Sequence, residues 1–284
     1  MRIDRQVSLV LKAAIPGRRG PTAGRLPVLM YHGICGEVER DRHPYFAVTT
    51  TPAVFETHLQ LLQQHRYKVV SLDQGLQLVH AGVKGRFVAI TFDDGYEDFL
   101  HNAFPLLRKY GVSATVFVPT AFVGSRGGLV GSRSHLDWKQ IVELSGQGVD
   151  FGSHSHTHRE MDRLTEAQIR EELVTSRAML EEHLGQPVRR FCCPFAFPDH
   201  DRRKVGILRK LLAQTGYTIG VTTRIGLCGN RSDPLVLPRV PVNEFDDPSL
   251  FCAKLAGAYD WLHQVQLLYK KTFKALRRNR NDKD

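Results

Sequence analysis

Short apolar runs alternate with segments whose apolar residues recur every three or four positions, and this alternation continues through most of the chain. Eight runs have strand length and composition: residues 27–31, 67–70, 87–91, 114–118, 149–152, 190–193, 217–221 and 236–240. Several are too continuously apolar for a strand with one wet face, which predicts burial on both sides. The helices between them are marked by their ends. Thr51 followed by Pro52 opens one, a capping residue ahead of a proline in the first turn, and Phe55, Leu59 and Leu62 form its apolar stripe. Thr165 and Gln168 predict a capping box, Leu164 and Ile169 a hydrophobic staple, and Gly185 the stop of a helix carrying Leu173, Leu180 and Leu184. A further helix is expected around residues 137–144. Strands alternating with helices predict an α/β fold with a mainly parallel sheet. Periodicity does not distinguish a closed barrel from an open doubly wound sheet.

The two ends of the chain carry helical periodicity of another kind. Ile3, Val7, Val10, Leu11 and Ala14 recur beside Arg and Lys, as do Val265, Leu268, Tyr269, Phe273 and Leu276. Charge sharpens this picture. Residues 1–25 hold six Lys or Arg against one Asp, and residues 264–284 hold seven against two, which together account for the whole net charge of +10. The body, residues 26–263, is balanced at 26 basic against 26 acidic, so no basic face for nucleic acid is expected on it. The basic amphipathic ends are open to two readings, contact with an anionic membrane or docking on the domain with the charges solvated.

The length of 284 residues with 42 % hydrophobic content suits one catalytic domain at 26–263, flanked by a basic N-terminal segment, 1–25, and a basic C-terminal helix or tail, 264–284. No stretch reaches the roughly 18 apolar residues of a membrane span. Lys12 interrupts the first apolar run, and residues 16–19 lack a small-residue cleavage site. Five cysteines are an odd number, and adjacent Cys192 and Cys193 face opposite sides of a strand. The expectation is a reducing cytoplasm, with peripheral attachment at the inner membrane face as the alternative.

Candidate chemistry begins at the end of the third strand. Residues 91–95 read T-F-D-D-G and place Asp93 and Asp94 side by side where a buried run stops. Asp-Asp-Gly by itself is ordinary turn composition. Downstream, residues 152–158 read G-S-H-S-H-T-H, with His154 and His158 four apart. Two His and one carboxylate would leave a divalent ion with an open position, and the other carboxylate would serve as general base toward water there. The same spacing also arises by chance among thirteen histidines. His156, two positions from each, is expected to point elsewhere and hydrogen-bond behind the site. The glycine-rich run at 124–131 reads as a mobile lip or a surface loop.

In this order and at this separation, T-F-D-D-G and S-H-x-x-x-H resemble the polysaccharide deacetylases, the NodB-type carbohydrate esterase family four. Residues 190–196, R-F-C-C-P-F-A, resemble that family's third motif, and the likeness extends from about Leu26 to about Leu262. The resemblance implies a single catalytic domain folded as a distorted (β/α) barrel of about seven strands, with its chemistry at the C-terminal strand ends. It implies metal ligands Asp94, His154 and His158, with zinc expected and cobalt, nickel or manganese as alternatives. It implies Asp93 as general base, the backbone N–H of Phe195 at the oxyanion, and Phe195, Tyr96 and Pro194 against substrate.

Two departures bear on mechanism. Cys192 stands where many members carry an Arg that pairs with the catalytic Asp, and Arg239 in the late strand L-P-R-V-P-V is the candidate replacement. That strand lacks the His that many members use as general acid. The run V-L-M-Y-H-G-I at 28–34 resembles the subgroup of poly-N-acetylglucosamine deacetylases, whose acid lies in an N-terminal Met-Tyr-His strand, and this points to His32. The implied activity is hydrolysis of the N-acetyl group of N-acetylhexosamine units in a glycan, as in exopolysaccharide biosynthesis. Three alternatives stand beside it: a lipid-linked sugar deacylase or deformylase at the inner membrane surface; a non-catalytic carbohydrate-binding protein, since the motif Arg is missing and Ala196 replaces the usual Gly; and, last, a nucleic-acid or partner-binding protein working through its basic tails.

Overall fold

The eight apolar runs all become strands. The computed structural model describes residues 2–14, 24–36, 43–127 and 133–281, giving the backbone alone at 271 and 273–281. The eight are β1 (Val28–Tyr31), β2 (Lys68–Val69), β3 (Phe87–Phe92), β4 (Thr115–Val118), β5 (Asp150–Ser153), β6 (Arg190–Cys192), β7 (Ile219–Ile225) and β8 (Leu237–Pro241), and two-residue strands at Arg25–Leu26, Gly33–Ile34, Thr49–Thr50 and Cys228–Gly229 pair outside their sheet. Seven of them form a parallel ring in chain order, β1, β3, β4, β5, β6, β7, β8, closed because β8 pairs with β1 and β1 with β3. β2 lies outside the ring on the first residues of β3. The fold is therefore the closed barrel that the resemblance implies, not an open sheet. It is distorted at two places: β5 meets β6 through one residue pair, Ser153 with Phe191, and the β7–β8 register shifts between Val221 and Ile225.

Closure follows from what the strands bury. Leu29, Tyr31, Val88, Ile90, Phe92, Val116 and Val118 point outward and share one core with the helical residues Phe55, Leu59 and Ile141. The alternate positions, Val28, Ala89, Phe117, Cys192, Val221 and Leu237, fill the barrel. Both faces are dry, which is why the runs are apolar throughout rather than alternating. Cys192 lies inside and Cys193 packs outward with Leu173 and Leu208, so the adjacent thiols are separated by the strand itself and remain free. Gly152 is required for the fit, since a Cβ there would sit 2.6 Å from the Phe117 ring.

The helices are α1 (Ile3–Ala14), α2 (Pro52–Gln64), α3 (Leu72–His80), α4 (Phe104–Lys109), α5 (Trp138–Gly146), α6 (Glu166–Leu184), α7 (Arg202–Gln214), α8 (Pro248–Leu255) and α9 (Trp261–Asn281). Thr51 caps α2 ahead of Pro52, and Thr165 with Gln168 forms both halves of the capping box of α6, which ends at Gly185 with φ 64°. α1 packs on the domain beside α8, and α9 begins at Trp261, so the boundary expected near 263 falls inside a helix. Among the described residues no helix is long and apolar enough to cross a membrane. Of the glycine-rich run, 124–127 is tied to 133–136 by backbone hydrogen bonds, and Gly128 to Gly131 lie outside the described residues, as do residues 16–19 and the Phe273 and Leu276 side chains.

Candidate active site

Chemistry-bearing residues collect at the C-terminal mouth of the ring. Asp93 and Asp94 follow β3, His32 follows β1, His154 follows β5, and Arg239 rises from within β8. Asp93 continues the inward alternation of Ala89 and Thr91, so its carboxylate turns into the barrel. There Arg239 meets it in a fork, Nη1 donating to Oδ1 at 2.7 Å and Nη2 to Oδ2 at 2.6 Å. The guanidinium is wholly buried and also donates to Thr222 O (3.0 Å), Thr91 Oγ1 (3.1 Å) and Cys192 Sγ (3.1 Å). The small thiol at 192 leaves room for an arginine arriving from β8. Burial pushes the Asp93 carboxyl up, and the Arg239 charge and hydrogen bonds more than offset this, so its pKa lies below the usual carboxylate value.

Asp94 points to the neighbouring histidines. Its Oδ1 lies 3.4 Å from His154 Nε2 and 3.4 Å from His158 Nε2, and the two nitrogens are 3.3 Å apart. Ligand atoms about 2.1 Å from a tetrahedral zinc would lie about 3.4 Å from one another. The observed triangle therefore has the edge of such a site, and its donor set of two imidazoles and a carboxylate fits a divalent metal. Asp93, His154 and Cys192 also cluster, but both Asp93 oxygens and the Cys192 sulfur already accept from Arg239. His154 Nδ1 faces Cys192 O at 2.9 Å, which fixes the ring with Nε2 toward Asp94. Burial raises the Asp94 carboxyl, but hydrogen bonds with His154 and His158 hold it well below the usual range. Burial lowers the His158 pKa, whereas for His154 the neighbouring Cys192 and Asp94 outweigh burial and raise it.

The backbone is bent to make this triangle. Among the described residues five non-glycines have φ in the left-handed region, and four of them are here: Asp94 (69°), Ser155 (65°), His158 (53°) and Phe195 (55°). The segment around His156 is accordingly a turn and not a helix; His156 still points away, with Nδ1 2.9 Å from Thr120 Oγ1. Glu172, buried on α6, holds the turn from behind by accepting from the His156 and Thr157 backbone N–H groups at 2.8 Å each and from the Thr157 hydroxyl. Sequence reading missed Glu172. Its signal was a carboxylate beside Ile169 and Leu173 on the buried stripe of a helix. Glu172→Gln is expected to lower stability by about 1–3 kcal/mol, since a neutral amide oxygen accepts the two backbone N–H groups more weakly than the carboxylate does; a denaturant midpoint equal to wild type would show that the brace is dispensable.

His32 Nε2 stands 3.9 Å from Asp93 Oδ2, across from the two histidines. Behind it, Tyr31 Oη meets His58 Nδ1 at 3.0 Å and His58 Nε2 meets Asp246 O at 3.0 Å, a buried chain from β1 through α2 to the segment before α8. His32 and Phe195 line a groove of about 410 Å³ together with Tyr45, Phe46, Asn243 and Lys270. Phe195 is half exposed, its ring 4.7 Å from that of His158, and its carbonyl accepts from Thr223 Oγ1. Tyr96 and Pro194 are placed differently. Both are buried and neither lines the groove; burial, together with the Asp94 carboxylate near its hydroxyl, raises the Tyr96 pKa.

The family profile described as Polysaccharide deacetylase matches residues 80–219. The YxkH protein of Bacillus subtilis (strain 168) is 28 % identical over 237 residues, 83 % of this chain and 76 % of that protein. The poly-beta-1,6-N-acetyl-D-glucosamine N-deacetylase of Staphylococcus aureus (strain MRSA252) is 25 % identical over 175 residues, 58 % of this chain and 59 % of that enzyme's own length. Among solved structures, IcaB from Ammonifex degensii superposes with a TM-score of 0.67 at 25 % identity, covering 82 % of this chain and 97 % of IcaB. Streptococcus pyogenes deacetylase PplD, solved with acetate, has the same fold: TM-score 0.69 at 23 % identity over 81 % of this chain and 98 % of PplD.

Proposed function

Because this chain belongs to the polysaccharide deacetylase family, hydrolases of carbon–nitrogen bonds other than peptide bonds, we propose that it removes N-acetyl groups from N-acetylhexosamine units of a glycan, with zinc held by Asp94, His154 and His158. The observation that carries this reading is the triangle of ligand atoms at 3.3–3.4 Å, set beside a second carboxylate that an arginine keeps ionised. A divalent ion bound there supplies a Lewis acid and an activated water. Asp93, which spends its charge on no ligand bond, accepts the proton of the attacking water. The Phe195 backbone N–H donates toward the developing oxyanion, from a loop that Thr223 fastens to β7. His32 protonates the departing amine, which is too basic to leave as an anion at neutral pH. The test is metal analysis of the purified protein with acetate release from N-acetylglucosamine oligomers. Metal-free protein, or loaded protein that releases no acetate from any N-acetylated glycan, would overturn the proposal. A second reading, an N-acylated sugar carried on a lipid, is favoured by the apolar lining of the groove at Met30, Tyr45, Phe46, Ile225 and Val242. Parallel assays on soluble oligomers and lipid-linked sugars separate the two.

Arg239 sets the pH range of this mechanism. The base works only when ionised, and the guanidinium lowers its pKa, so activity persists as the medium becomes acidic. Arg239→Met is expected to raise the Asp93 pKa and shift the acidic limb of the kcat/KM profile to higher pH. Arg239→Lys, which keeps a cation, is expected to shift it less. A limb unmoved in both variants would leave Arg239 with a purely structural role.

A further inference from the structure

The helices at the two ends of the chain turn several polar side chains toward the domain and leave several large apolar ones exposed. On α1 and just before it, several polar residues reach the domain, although Gln6 is exposed: Ser8 is fully buried and accepts from Trp261 Nε1 (3.0 Å), Arg2 Nη1 donates to Phe245 O (2.7 Å), Arg5 pairs with Asp247, and Asp4 accepts from Tyr259 Oη (2.9 Å). Ile3 and Val10, each 66 % exposed, and Ala13 and Ala14 face away. On α9, Lys270 turns inward to donate to Phe197 O (3.0 Å) and Asp199 Oδ1 (2.9 Å), and Gln266 turns to Tyr45. Val265, Leu268 and Tyr269, which form one stripe at helical spacing, are 50–67 % exposed. A surface helix in water is expected to be oriented the other way. The Trp261–Ser8 bond joins the two helices, and Gln266 and Lys270 make α9 a wall of the groove whose rim carries exposed Phe46 and Phe195. Of the ten large exposed hydrophobics among the described residues, seven belong to these two helices and that rim. Such a concentration marks a surface that something covers.

We propose that α1 and α9 form a docking face for an anionic lipid bilayer, their outward apolar side chains entering the headgroup boundary. Charge selects this occupant. Arg2, Arg5, Arg25 and Lys270 are paired with acids, but the segments 1–25 and 264–284 hold nine further Lys or Arg, which complement anionic headgroups; a second copy of this chain would bring like charge against like. Docking by this face holds the groove wall at the bilayer, and it needs no helix that crosses the membrane. The face is independent of the catalytic chemistry.

The test uses the full chain with vesicles of mixed phosphatidylcholine and phosphatidylglycerol. The protein is expected to sediment with them at low salt, to be released as salt rises, and to ignore vesicles of phosphatidylcholine alone. Val10→Gln with Leu268→Gln, two exposed positions outside the groove, is expected to weaken partitioning by at least about tenfold, given the transfer energy of two apolar side chains. Acetate release from a soluble oligomer without vesicles should be unchanged in this variant, so failure to dock and failure to catalyse are separate results. Wild-type protein that stays in the supernatant, or a variant that sediments equally, overturns the proposal. A dimer in solution that Leu268→Gln dissociates would overturn it in favour of a second copy.

Discussion

Asp93→Asn will retain the metal and lose about 10²–10⁴ of kcat, the contribution of a positioned general base. The reason is the division of labour between adjacent carboxylates. Asp94 Oδ1 faces both histidine nitrogens, whereas both oxygens of Asp93 accept from Arg239. An amide at 93 still offers an oxygen to the guanidinium but can no longer take a proton. Because breaking a buried ion pair can cost about 3–5 kcal/mol, thermal unfolding and metal content have to be measured on the same sample. A folded, loaded variant with kcat within a few-fold of wild type would mean that the base is another group.

Wild type is expected to carry about one divalent ion per chain, and Asp94→Asn and His158→Ala to abolish both metal binding and turnover. Each removes one corner of a triangle whose edges measure 3.3–3.4 Å, and two remaining ligands hold zinc weakly. The pair of variants tests the site in two ways, because Asp94→Asn removes a buried charge while His158→Ala leaves one behind. Loss of metal in both, with the fold intact, identifies the ligand set. Metal content equal to wild type in both would show that the ion binds elsewhere.

The two kinds of information that the sequence carried well were local. Apolar runs became strands at all eight positions, the seven of the ring because both their faces are covered and β2 as a short, partly exposed edge strand, and the capping box of α6 formed because its two halves lie three residues apart. Ring closure was not local. It rests on β1 pairing with both β3 and β8, and period-two patterning says nothing of strand order. The residues of the candidate site were legible where they stand in short motifs or at a departure from one, as with Cys192 and Arg239, which meet at 3.1 Å. What lay beyond reach was the support behind them. Glu172 reaches the histidine turn from a helix, and the Tyr31–His58–Asp246 chain joins residues 27 and 188 positions apart in sequence.

The left-handed residues at the mouth of the barrel have a consequence for the evolution of this protein. A side chain other than glycine in that conformation costs on the order of 1 kcal/mol or more. Ser155 and Phe195 could each shed that cost by becoming glycine, and neither is a metal ligand in the proposed site. Yet the Ser155 hydroxyl accepts from the His158 backbone N–H at 3.0 Å, and the Phe195 ring lies against the His158 imidazole. Glycine at either place would relax the chain and loosen the histidine it steadies. Selection for heat resistance and selection for turnover would therefore pull these two positions in opposite directions.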